Sequence, residues 1–303
     1  MKNNLAYHVP VLLEESVAGL SLNPDALVVD ATFGGGGHSA LILSKLGPKG
    51  KLFAIDQDAD AHANGFDAPN FKPINGNFQY LKNHLAMQGV SKVDAILADI
   101  GVSSHQFDAA ERGFSLRNNG QLDMRMNRKN DNSAASVLNA YSESDLLTMF
   151  RSYSDISNAY RLVQQLLAFR NIKPFEFTEE LVRVSEKCAP KTKEHKYIAQ
   201  VFQALRIEVN QEIEALKALL LASAEVLNPG GRMVVISYHS IEDRLVKNFF
   251  KRGSFDGEIT KDFFGNVQKP FEEWNRHPLV PTDAEIERNS RARSAKLRIA
   301  TKK

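Results

Sequence analysis

The chain has 303 residues, 43% hydrophobic and 24% charged, which marks a globular protein long enough for one large α/β domain or two smaller ones. Its single cysteine, Cys188, excludes an intramolecular disulfide and a cysteine-built zinc site, and no apolar run reaches the roughly 18 residues that cross a bilayer. The formal net charge of +2 carries no obvious message about partners, and the start MKNNLAYHVP lacks the pattern of a signal peptide, so a reducing, cytoplasmic setting is expected.

ALVVDAT (26–32) reads as a strand, FGGGGH (33–38) as a turn, SALILSKL (39–46) as a helix stopped at Gly47-Pro48, and KLFAID (51–56) as a second strand. FKPING (71–76) and VDAILADI (93–100) read as further strands, the latter buried, with a helix over 78–89 between them. This alternation predicts parallel strands joined by right-handed crossovers. From about 105 to 198 the pattern changes to short helical pieces, with Ser142 and Thr178 as candidate helix caps. Apolar positions from Ile198 to Leu227 keep helical spacing and predict one long helix closed by Asn228-Pro229-Gly230-Gly231. GRMVVISY (231–238) restores the strand pattern, 253–281 reads as an irregular excursion, and RARSAKLRIA (291–300) reads as a last strand burying Ala295, Leu297 and Ile299. The expected organisation is a split sheet domain, 1–107 and 199–303, carrying a helical insertion, 108–198.

The charge is segregated along this plan. Residues 1–110 and 200–287 are each −4, residues 111–199 are +3, and the last sixteen residues are +7. Positive charge gathered in an insertion and a tail suits a phosphate-backbone partner.

Four consecutive glycines between a strand and a helix let the backbone approach a ligand and adopt positive φ, beside free N–H groups of the helix start. Asp56, twenty residues beyond Gly36 at a strand end, is placed to accept hydrogen bonds from a ribose diol. A nicotinamide dinucleotide and S-adenosylmethionine both suit this geometry. The dinucleotide motif wants a third glycine where this chain has Ser39, whereas Asp30 and Asp99 at neighbouring strand ends suit a cationic sulfonium ligand.

YHVPVLLEE (7–15), DATFGGGGHS (30–39), AIDQD (54–58), GVSSHQFD (101–108), LDMRM (122–126), FQALRIEVN (202–210), LNPGGRMVVISYHSIEDRLVK (227–247) and RARSAKLR (291–298) run in order along almost the whole chain. They resemble the RsmH/MraW family of bacterial methyltransferases, which modify the exocyclic N(4) amine of a cytosine in 16S ribosomal RNA. The resemblance implies a class I S-adenosylmethionine-dependent methyltransferase, a Rossmann-like and mostly parallel sheet with a helical insertion that recognises the substrate. It implies 16S rRNA, in the small subunit or its precursor, as partner rather than DNA. No membrane is expected from the apolar runs, and no metal, since the eight histidines show no paired spacing and an already activated cofactor needs no Lewis acid. Carried over by position, the cofactor contacts fall on Gly36, Gly37, His38, Asp56, Phe78, Asp99 and Gln106. The segments 152–170, 194–202 and 289–294 depart from the family pattern, mainly in what would be RNA-contacting surface.

Cytosine's exocyclic amine is a poor nucleophile, so the site needs acceptors for its N–H bonds. Asp99 at the end of the fourth strand is the candidate, either accepting from the amine or holding the cofactor's methionine end, with His239 as a second wall. Carbon methylation would require a cysteine nucleophile, and Cys188 lies far in sequence from every strand end. Arg112, Arg117, Arg125, Arg291 and Arg293 are the candidate RNA contacts. The competing readings are a non-catalytic ribosome-assembly factor that binds RNA on the same fold and, more remotely, a dehydrogenase.

Overall fold

The computed structural model describes residues 10–303 except Thr260 and Asn266, so Tyr7, His8 and Val9 of the first motif lie outside the described residues. In chain order the elements are α1 (Leu13–Gly19), β1 (Leu27–Asp30), α2 (Gly37–Lys45), β2 (Lys51–Asp56), β3 (Phe71–Asn75), α3 (Leu81–Met87) and β4 (Val93–Asp99). Then come α4 (Ser104–Asp108), α5 (Ala134–Ala140), α6 (Glu143–Tyr153), α7 (Ala159–Arg170), α8 (Thr178–Glu186) and α9 (Glu194–Asn210). The chain closes with α10 (Glu212–Val226), β5 (Leu227–Ser237), α11 (Ser240–Arg252), β6 (Phe271–Glu273), α12 (Asp283–Arg288) and β7 (Lys296–Lys302).

Two compact units result, Met1–Gly101 with Glu214–Lys303, and Val102–Ile213. The first holds a seven-stranded sheet in the order β3-β2-β1-β4-β5-β7-β6. Its first five strands are parallel, and β7 runs antiparallel to both neighbours. β4 is apolar almost throughout because both faces of a parallel sheet are covered. Strand order reverses between β1 and β4, and at such a point the crossovers depart to opposite sides, leaving a crevice at the carboxyl ends of the strands. Asp30, Asp56 and Asp99 are the last residues of β1, β2 and β4 and line that edge.

The second unit is helical. Its core gathers Phe150, Leu162, Leu166, Leu181 and Leu205 from successive helices and Phe175 from the connection before α8. Ser142 caps α6 as expected, accepting from the Asp145 N–H. Thr178 is instead the first residue of α8, and its hydroxyl accepts from the Gly120 N–H.

Three further expectations change. The long helix from Ile198 is two helices, α9 starting earlier at Glu194 and α10 after it, separated by Gln211 in the left-handed region at φ 51°. Apolar spacing runs through this break because α9 and α10 each bury a face of their own, with Val201, Leu205 and Val209 in one and Ile213, Leu216 and Leu220 in the other. The expected boundary at residue 199 therefore falls inside α9, whose Tyr197, Ile198 and Val201 belong to the helical core. Asn228-Pro229-Gly230-Gly231 is the entry to β5, which already begins at Leu227. The final strand buries both faces, since Arg298, only 7% exposed, donates from Nε to Asp243 Oδ1 at 2.6 Å and Lys296 Nζ reaches Asp243 Oδ2 at 3.2 Å.

Arg112 is the largest correction to the basic surface expected from sequence. Its side chain is 2% exposed, and its guanidinium donates to the carbonyls of Arg125 and Met126, both at 3.1 Å. Arg125 grips Asp123 in a fork at 2.7 and 2.9 Å, and its remaining nitrogen donates to the Arg128 and Asn130 carbonyls. Both arginines tie the 112–130 loop together. Replacing Arg112 with Ala should lower stability by about 3 kcal/mol, because the buried Met126 carbonyl and the half-buried Arg125 carbonyl lose a charged donor and a cavity opens. Urea unfolding measures this, and a midpoint unchanged from wild type would refute the structural role.

Candidate active site

The glycine loop shows why each glycine stands where it does. Gly34 and Gly36 have φ of 49° and 78°, where a side chain is strained, and Gly36 is the N-cap of α2. A Cβ on Gly37 would overlap the Pro10 ring. Gly35 has neither constraint, since a Cβ there would meet nothing within 4 Å. A bare backbone facing open space is what a bound ligand requires, so this loop fits a cofactor cradle.

The loop is fastened to the β2 end by Asp56, whose Oδ2 accepts from the Gly34 N–H and Oδ1 from the Asp58 N–H, both at 2.8 Å. Two of the four lone-pair positions of the carboxylate remain for a ligand's hydroxyls. Burial pushes Asp56 up to about 6 against the pull of those N–H donors. Next in the chain, Gln57 accepts from the Asn77 amide at 2.8 Å, tying the β2 end to the turn that carries half-buried Phe78.

Asp99 is the centre of the edge. Its backbone N–H donates to Thr32 Oγ1 at 2.7 Å, and its Oδ1 accepts from the Tyr238 hydroxyl at 2.7 Å. Its Oδ2 lies 4.0 Å from His38 Nδ1, while His38 Nε2 lies 3.2 Å from the Val11 carbonyl. Burial raises Asp99 to about 6, opposed by His38 and by the Tyr238 bond. Asp30, wholly buried behind it, is also raised by burial and accepts from Ser39 Oγ at 2.6 Å and the Thr32 N–H at 3.1 Å. Ser39 thus has a task of its own, satisfying a buried carboxylate from the first turn of α2.

The structure brings Gly36, Gly37, His38, Asp56 and Asp99 together at one edge of the sheet unit. His239 is placed differently from the expected second wall. It caps α11, its Nδ1 accepting from the Glu242 N–H at 3.4 Å and its Nε2 lying 3.0 Å from Glu242 Oε1. Gln106 lies in the helical unit, 4% exposed, and closes the capping box of α4 by accepting from the Ser103 N–H. Arg117, Arg291 and Arg293 are exposed.

Sequence reading missed Tyr238, Thr32 and Ser39. All three lie inside motif blocks, but only the fold shows that the Tyr238 hydroxyl meets the Asp99 carboxylate, the Thr32 hydroxyl the Asp99 N–H and the Ser39 hydroxyl the Asp30 carboxylate. Tyr238 follows the last residue of β5, and β5 pairs with β4 so that Ile236 lies opposite Asp99. Gly101 nearby, at φ 132°, adopts a backbone conformation that a side chain would strain, while a Cβ there would make only ordinary contact with the Tyr238 ring at 3.5 Å.

A parallel sheet with one reversed strand between β5 and β6, a glycine loop after β1 and acids ending β1, β2 and β4 define the class I S-adenosylmethionine-dependent methyltransferases. Residues 5–303 match the MraW methylase family, and the chain belongs to that family. A protein of Cytophaga hutchinsonii named ribosomal RNA small subunit methyltransferase H is 55% identical over 97% of this chain and 99% of its own. One of the same name from Bacteroides thetaiotaomicron is 51% identical over 100% of this chain and 99% of its own. The cofactor is S-adenosylmethionine.

Two buried carboxylates raised to about 6 cost folding energy at neutral pH, because the unfolded groups ionise more easily. The ligand-free protein should therefore recover part of this as pH falls from about 6 toward 4, where the folded state binds more protons. Asp99→Asn keeps the Tyr238 hydroxyl bonded to an oxygen and should raise stability at pH 7 by about 2 kcal/mol, with no gain at pH 4. Thermal melts at the two pH values check this, and a destabilised variant at pH 7 would count against the buried charge.

Proposed function

We propose that this protein transfers a methyl group from S-adenosylmethionine to the exocyclic N(4) amine of a cytosine in the 16S ribosomal RNA of the small subunit. Bound, the cofactor supplies an electrophilic methyl group on a sulfonium. Every other requirement falls on the chain's own residues.

Asp56 is placed to accept from ribose hydroxyls, and the Gly34–Gly37 backbone leaves room beside it. The acids at the strand ends favour a cationic ligand. The amine's lone pair is delocalised into the base, so an acceptor that holds its N–H bonds and favours a tetrahedral nitrogen lowers the barrier. Asp99 is suited to that part. Tyr238 and Thr32 fix its orientation, leaving Oδ2 for the amine, and its pKa near 6 leaves it ionised at neutral pH, able to receive the proton that the methylated amine releases. His239 supports the site from the α11 cap, and we assign it positioning rather than contact with the base. The helical unit, Gln106 included, is the substrate-recognising part in this reading, and exposed Arg117, Arg291 and Arg293 are candidates for the RNA backbone.

The observation that carries the proposal is the Asp99 carboxylate, oriented by Tyr238 at the end of β4 beside an open glycine loop. The dehydrogenase reading loses ground on Ser39, whose hydroxyl is engaged by Asp30 where a dinucleotide fold wants glycine.

Incubating the protein with methyl-labelled cofactor and unmodified small subunits should label one cytosine of 16S rRNA on nitrogen. Asp99→Ala should lower turnover at least about 1000-fold, the scale of a general base together with an aligned acceptor. A label on carbon, or near wild-type turnover in the variant, would sink the proposal. Binding and no turnover by the wild type would point to the assembly-factor alternative.

A further inference from the structure

The helical unit spends many of its arginines inward. Arg112 holds two carbonyls, Arg125 holds Asp123, Arg170 donates to the carbonyls of Leu138 and Tyr141, and Arg206 pairs with Glu212. A different group of cations is left at the surface. Between Arg183 and Lys196 the chain carries five cationic side chains against Glu186 and Glu194. Lys187, Lys191, Lys193 and Lys196 are exposed, and none has a side-chain hydrogen bond or ion pair among the described residues.

The corner that carries these lysines, between α8 and α9, is held firmly from beneath. Asn158 Nδ2 donates to the Cys188 carbonyl at 2.9 Å, the Tyr197 hydroxyl donates to Asn158 Oδ1 at 2.8 Å, and Arg161 donates to the Lys187 carbonyl at 2.9 Å. Cys188 itself is 3% exposed. A loop already ordered loses little entropy when it binds. Beside Arg161, Tyr160 leaves 58% of its surface to solvent, an exposed ring of the kind on which an unpaired base stacks.

We infer that this α8–α9 corner is the face by which the helical unit grips RNA phosphates. The inference rests on the RNA substrate proposed above and replaces Arg112 and Arg125 as the unit's grip. Unpaired lysines on a fixed loop release counterions when phosphates replace them, which gives affinity without base specificity.

The test uses the full chain with Lys191→Gln, Lys193→Gln and Lys196→Gln combined, and a control with Lys45→Gln, Lys49→Gln and Lys51→Gln, exposed lysines of the sheet unit. Binding to protein-free 16S rRNA and to small subunits is measured between 50 and 200 mM salt. The corner variant should bind both about tenfold more weakly, and its plot of log K against log salt should be shallower by about 2, the loss of three phosphate contacts. Its cofactor affinity by calorimetry and its melting temperature should match wild type. Unchanged RNA affinity in the corner variant, or an equal loss in the control, overturns the inference. So does a loss on subunits with none on protein-free RNA, which would assign the corner to an acidic ribosomal protein. If wild-type protein leaves small subunits unmethylated while the corner variant still loses RNA affinity, the substrate proposal fails and the corner stands.

Discussion

Everything at the carboxyl edge of the sheet answers to one constraint, the burial of Asp30, Asp56 and Asp99 at the ends of neighbouring strands. Taking a carboxylate out of water is costly unless donors replace the lost hydration. Here some donors are local and some distant: the Thr32 N–H and Ser39 for Asp30, the Asp58 and Gly34 N–H groups for Asp56, and Tyr238, 139 residues away, for Asp99. Burial still wins, and all three acids are raised. A site that stores unfavourable negative charge is suited to a cationic ligand, so strain in the folded chain and affinity for a sulfonium have the same origin.

The same constraint explains the glycine loop and the α11 cap. Gly34 donates to Asp56, and its positive φ turns the chain from β1 toward α2. Glu242, in the first turn of α11, accepts from the Tyr238 N–H at 2.9 Å and so steadies the residue that orients Asp99. His239 and Glu242 thereby hold the backbone that leads from β5 through Tyr238 into α11.

Much of this was legible along the chain. β2 matches its expected span, β1, β3 and β4 differ by a few residues, and the glycine loop, Asp56 and Asp99 are where strand-loop-helix reasoning puts them. Local patterns sufficed because parallel strands buried on both faces write themselves as apolar runs. The break at Gln211 was hidden because apolar spacing continues across it, and the short β6 was hidden because three residues carry no periodicity. Basic residues misled for a different reason. An arginine in a loop looks alike whether it faces solvent or carbonyls, and Arg112 faces carbonyls.

The sequence by itself determined the class of fold, the place of the glycine loop and the acids that end the strands, since these depend on residue type and spacing over short stretches. It also determined the family, because its motifs keep their order along nearly the whole chain. Only the tertiary structure decided which donors meet those acids, which cations remain at the surface and where the helical unit ends. Those outcomes depend on contacts such as Tyr238 with Asp99, 139 residues apart, and no local pattern records a pairing across that distance.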